Sequence, residues 1–146
     1  MARFRSSIVI NCPVEQVFEF VADQGKLAQW QSGVVDSGSN APAAVGTRYH
    51  STIELMGRRY RSEGVMTEYD PPRRYAFKAT SGSLPVDGAF TFQTMAGGTR
   101  VVFAGELRQR GLMRMAGPVL TPVMEAQLEA NFERLKEILE AQDSAV

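Results

Sequence analysis

The apolar positions of this chain change their period along its length. Phe4, Ile8 and Ile10 fall on one side of an alternating segment, which predicts a strand over Arg3–Ile10. Val14, Val17, Phe18 and Val21 then recur three and four apart, the spacing of one helix face. Pro13 suits the first position of that helix, where its missing N–H is not needed, and Cys12 takes a cap position that usually holds Ser, Thr, Asp or Asn. A second short helical turn is expected over Lys26–Trp30, a short strand over Val34–Ser37, and a loop through the Gly-, Ser- and Pro-containing stretch 37–46.

From Thr47 onward the period is two. Thr47–Met56 and Arg59–Tyr69 flank an expected tight turn at Gly57-Arg58, and Asp70-Pro71-Pro72 ends the second segment because neither proline can donate to a ladder. Arg74–Ala79, Val86–Thr94 and Thr99–Gln109 follow, with turns expected at Ser81-Gly82 and Gly97-Gly98. Alternation is clearest in Tyr75/Phe77, Phe90/Phe92 and Val101/Phe103. The period then returns to helical over residues 111–141. Met113, Ala116, Leu120, Met124, Leu128, Phe132, Leu135 and Leu139 form one apolar stripe. Pro118 and Pro122 interrupt its start, so 111–117 is expected as a short or distorted helix and Thr121-Pro122 as a restart.

These elements predict an α+β fold, one domain over 1–146, in which an antiparallel sheet of roughly six strands packs on a long C-terminal helix. The helix must bury its Met- and Leu-rich stripe against the sheet. If the sheet curves around it, a cavity remains between them, and that geometry suits a container for an apolar molecule.

Composition removes several alternatives. Sixteen basic and sixteen acidic residues cancel, so no net field favours nucleic acid or an anionic membrane. The Arg58, Arg59, Arg61 and Arg73, Arg74 clusters read as solvated hairpin faces. The single cysteine, Cys12, leaves no internal disulfide or Cys-based zinc site and suits a reducing compartment. No segment approaches the ~20 apolar residues of a spanning helix, and Met1–Ile10 lacks a signal-peptide core. A soluble, cytoplasmic protein without stable membrane insertion is the expectation. The 38–46 loop lacks the Lys-Ser/Thr ending of a phosphate cradle, and Trp30 reads as a residue of the core or the cavity mouth.

Three segments carry a resemblance: Ile8–Phe18, with its Asn11-Cys12-Pro13 corner; Glu68–Phe77, around Asp70-Pro71-Pro72; and Gly97–Phe103, leading to Glu106-Leu107 and Gly111-Leu112. With the element order, they make the chain similar to the helix-grip proteins of the polyketide cyclase/dehydrase and lipid-transport superfamily, which includes START domains and birch-pollen-allergen-like proteins. The resemblance spans nearly the whole chain and marks turns and core positions, not a catalytic motif. It implies a curved sheet wrapped around the C-terminal helix.

His50 is the only histidine. It shares a strand side with Thr52 and Glu54, while Tyr49, Ile53 and Leu55 occupy the other side, which reads as the cavity face. His50 is therefore expected at the surface, and no Ser/Cys–His–acid set or metal-ligand pattern accompanies it. Arg61, Glu63, Asp87 and Arg108 are likewise expected to be exposed, because burial without a partner would be costly.

The binding candidates are Tyr49, Ile53, Tyr60, Met66, Phe77, Phe90 and Phe92 from the sheet, with Met113, Leu120, Met124 and Leu128 from the helix. Singly each reads as core; together they read as the wall of a pocket of about 300–1,000 Å³. The expected function is binding of a small hydrophobic or amphipathic molecule, with no cofactor and no nucleic acid. The alternatives are a polyketide cyclase, aromatase or dehydratase, and an accessory protein that binds a quinone or a partner protein. An exposed strand edge offers a surface for a homodimer.

Overall fold

The computed structural model describes residues 2–82, 85–108 and 113–144, with the backbone alone described for 2, 113–120, 143 and 144. Its elements are β1 (Ala2–Ile10), α1 (Val14–Ala22), a 3-10 turn at Gln24–Lys26, α2 (Leu27–Trp30), β2 (Val34–Ser39), β3 (Arg48–Leu55), β4 (Arg58–Asp70), β5 (Arg74–Gly82), β6 (Val86–Met95), β7 (Gly98–Leu107) and α3 (Met113–Ser144). The strands form one antiparallel sheet in the order β1-β7-β6-β5-β4-β3-β2. The sheet curls into a half-barrel against α3, the helix-grip arrangement.

Inward side chains set that curl. Gly88 of β6 and Gly105 of β7 are paired in register at inward positions. A Cβ on Gly88 would stand 2.5 Å from the Phe103 ring, and one on Gly105 would stand 2.6 Å from the same ring. Phe103 thus lies across two residues without side chains, and the sheet closes more tightly there than bulky neighbours would permit.

One core cluster runs beneath both α1 and α3. Under α1, Phe18 meets Phe92 edge-on at 5.0 Å between centroids and Tyr75 at 6.1 Å. Under α3, Phe132 stacks on Trp30 at 6.2 Å, and Leu135 and Leu139 are fully buried. Trp30 is a core residue with no exposure, and its indole N–H has no hydrogen-bond partner among the described residues.

Several local expectations shift. The cap of α1 is Pro13, not Cys12; Cys12 is buried and its Sγ donates to the Leu139 carbonyl at 3.3 Å. The β3–β4 turn falls at Met56-Gly57, both with positive φ (54° and 78°), the twist that suits a two-residue hairpin. The β6–β7 turn likewise moves back one residue, to Ala96-Gly97. Strand β5 continues through Ser81 and Gly82, which are therefore not the turn. The helix is continuous over Met113–Ser144, with Pro118 and Pro122 inside it and no restart at Thr121. Each proline removes one hydrogen bond of the ladder, but neighbouring turns keep the rod together. Residues 111 and 112 lie outside the described residues.

Candidate functional site

The concave face of the sheet and α3 enclose a cavity of about 160 Å³. This is below the 300–1,000 Å³ expected from the sequence, because aromatic rings tile most of the concave face. Phe90 lies 5.0 Å from Tyr75 and 4.6 Å from Phe103, and Phe77 lies 6.1 Å from Phe103, centroid to centroid. What remains has roughly the volume of a cavity that admits one benzene ring.

Of the sequence candidates, Tyr49, Ile53, Met66, Phe77, Phe90, Met124 and Leu128 come together on the cavity wall. Tyr60 and Phe92 do not. Tyr60 packs at the far end of the β3–β4 hairpin with Leu55 and Leu107, and Phe92 sits beneath α1. Both have inward strand parity, but the cavity spans only part of the sheet's length. The side chains of Met113 and Leu120 lie outside the described residues. Phe4, Leu27, Val34, Tyr75, Val86 and Phe103 also line the space, although none of them is among the binding candidates expected from the sequence.

Polar groups occur at three places on this wall, one of them Gln24 of the 3-10 turn, whose Nε2 donates to the Ala22 carbonyl at 3.4 Å. At one end the 31–33 loop meets α3: Gln127 Nε2 donates to Ser32 Oγ at 2.8 Å, and Asn131 Oδ1 accepts from Ser32 N at 3.1 Å. These two amides are already engaged in tying the loop to the helix. On the sheet, Ser51 and Ser62 face inward opposite one another in the β3–β4 register. No described lining side chain is Asp, Glu, Lys, Arg or His. The two lining tyrosines are held protonated: burial pushes Tyr75 and Tyr49 above the ordinary phenol range, and the Asp87 charge adds to the effect at Tyr49. The Tyr75 hydroxyl donates to the Val21 carbonyl at 3.2 Å, fixing its ring beneath α1.

Ionisable groups cluster outside the cavity. His50 faces outward, 42% exposed, with Nε2 3.6 Å from Asp36 Oδ2. Arg61 and Glu63 form an exposed pair at 3.2 Å. Asp87 and Arg108 differ from the exposed expectation: they are mostly buried and paired at 3.3 Å. The cause is the sheet itself. β5 and β6 pair only from Arg74↔Thr91 to Phe77↔Gly88 and then separate. Asp87 Oδ1 accepts the Ala79 N–H at 2.9 Å, and Arg108 donates to the Ala79 carbonyl, so these side chains replace the missing ladder bonds. No set of three or more His, Cys, Asp or Glu that could hold a metal occurs among the described residues. No helix among them is long and apolar enough to cross a membrane.

The family model described as polyketide cyclase/dehydrase and lipid transport matches residues 1–140. This chain belongs to that family. Its START-like fold recurs in solved structures of low sequence identity. A protein from Thermus thermophilus superposes with a TM-score of 0.83 at 22% identity, covering 96% of this chain and 98% of that one. A START superfamily protein from Mycobacterium smegmatis gives 0.80 at 12% identity, covering 97% and 99%. The Zhui aromatase/cyclase from a Streptomyces species gives 0.80 at 15% identity, covering 94% and 93%. No curated protein matches the sequence. The family supports binding of a hydrophobic ligand or cyclase-type chemistry.

Proposed function

We propose that this START-like protein binds a small, neutral, hydrophobic or amphipathic molecule between the sheet and α3. The observation that carries this reading is a wall built from aromatic and aliphatic side chains, with no charged group among the described lining residues. Burial of ligand surface at about 25 cal/mol per Å² supplies the affinity, and the few polar groups set orientation. A carboxylate or ammonium group placed here would lose its hydration without gaining a counter-charge.

The aromatase/cyclase among the structural neighbours makes chemistry on the bound molecule the second reading. In this cavity such chemistry would rest on shape and hydroxyl contacts, since both lining tyrosines are held protonated.

Methionine-methyl NMR tests the binding reading. Met66 and Met124 line the cavity, whereas Met56 and Met95 are exposed elsewhere. Titration with toluene is expected to move the Met66 and Met124 resonances and leave the other two in place. Met124→Arg, which puts a charge at the wall, is expected to abolish the response in a protein that still folds. Unchanged affinity in folded Met124→Arg would sink the reading.

A further inference from the structure

Ser51 and Ser62 are the only non-aromatic hydroxyls on the described cavity wall. They are Cα partners across β3 and β4, at 8% and 7% exposure. Around them the inward positions are Tyr49, Ile53 and Leu55 on β3 and Gly64 and Met66 on β4. A buried hydroxyl normally finds a partner, because desolvation is otherwise uncompensated. The polar groups at the α3 end follow that rule through Ser32. The side-chain hydroxyls of Ser51 and Ser62 make no hydrogen bond with any described residue, nor with each other. Alanine at both positions would complete the apolar wall at no loss of internal bonding.

We propose that this serine pair is an oxygen-recognition subsite. It takes a hydroxyl or carbonyl oxygen of a neutral, ring-sized ligand, such as a phenol, quinone or cyclic ketone, while the ring rests on the aromatic wall. A hydroxyl both donates and accepts, so two of them on neighbouring positions of the wall can hold either kind of oxygen. This inference deepens the binding reading and rests on it.

Three probes separate the possibilities: toluene, p-cresol and p-toluate, which share a ring and methyl group and differ in their polar substituent. Each is titrated by calorimetry into the wild-type chain and into Ser51→Ala/Ser62→Ala. The wild type is expected to bind toluene and p-cresol and to reject the p-toluate anion. In the double variant toluene affinity is kept, while the ratio of p-cresol to toluene affinity falls about tenfold, the worth of one to two neutral hydrogen bonds. A ratio that does not change overturns the subsite and leaves the cavity reading standing. Failure of both neutral probes to bind the wild type overturns both. Should the double variant misfold, the single variants Ser51→Ala and Ser62→Ala are each expected to lower the ratio about threefold, and no change in either overturns the proposal.

Discussion

The Tyr49 hydroxyl occupies the space in which a side chain on Gly64 would stand. A Cβ built there would lie 2.3 Å from that oxygen and 2.5 Å from the Lys78 carbonyl. One neighbour is a side chain that can swing away, but the other is backbone. Gly64→Ala is therefore expected to destabilise the protein by about 1–3 kcal/mol, the usual cost of overpacking. Urea unfolding checks this, and a midpoint equal to wild type would show that the strands relax freely.

Phe132 and Met124 lie two turns apart on α3 with different surroundings. Phe132 is 1% exposed against Trp30, whereas Met124 borders the cavity and is only partly buried. Phe132→Ala should cost about 3–5 kcal/mol. Met124→Ala should cost less than about 2 kcal/mol, because less of its surface is withdrawn from water. Chemical denaturation of both variants gives the comparison, and equal losses would contradict the assignment of Met124 to a cavity wall.

Burial raises the Tyr49 phenol above its ordinary range in the folded state. A folded pKa above the unfolded one means the folded form holds its proton more tightly. The resulting stability is intact below the unfolded value of about 10 and declines as pH rises beyond it. Tyr49→Phe removes the titrating group without removing the ring. Its alkaline unfolding midpoint should move to higher pH, while stability at neutral pH stays within about 1 kcal/mol of wild type. Circular dichroism followed against pH decides the matter; a downward shift would refute it.

On the acid side, Glu140 has the opposite sign. The Asn11 backbone N–H donates to its carboxylate at 2.9 Å and Lys136 adds a second hydrogen bond, together lowering its pKa. Stability from this group is present above the unfolded glutamate value and is lost as pH falls through the lowered one. Glu140→Gln should therefore narrow the gap in stability between neutral and acidic solution. Thermal melts at the two conditions measure that gap, and an unchanged difference would remove Glu140 from the account.

Register explains why the serine pair escaped the sequence reading. The alternation of Tyr49, Ser51, Ile53 and Leu55 is plain in the chain, and it places Ser51 inward. A turn at Gly57-Arg58 would have set Ser51 opposite Gly64. The turn one residue earlier sets it opposite Ser62. Only the positive φ of Met56, a residue with no turn signature, fixes that choice. Asp87 and Arg108 are a similar case: nothing local announces that β5 and β6 separate beyond Phe77 and Gly88, so the backbone groups these side chains satisfy were not foreseeable.

Periodicity by itself determined the element order, the α+β class and the inward faces, because side-chain direction follows from backbone period and burial demands one apolar face, while the helix-grip arrangement came from the family resemblance. It placed Tyr49, Ile53, Met66, Phe77 and Phe90 on the concave side and Met124 and Leu128 on the helix face opposite. Tertiary structure alone decided how much space remains between those faces. That volume is a small difference between the curvature of the sheet and the bulk of the side chains beneath it. Inward glycines such as Gly64, Gly88 and Gly105, and the rings that cover them, set both quantities at once.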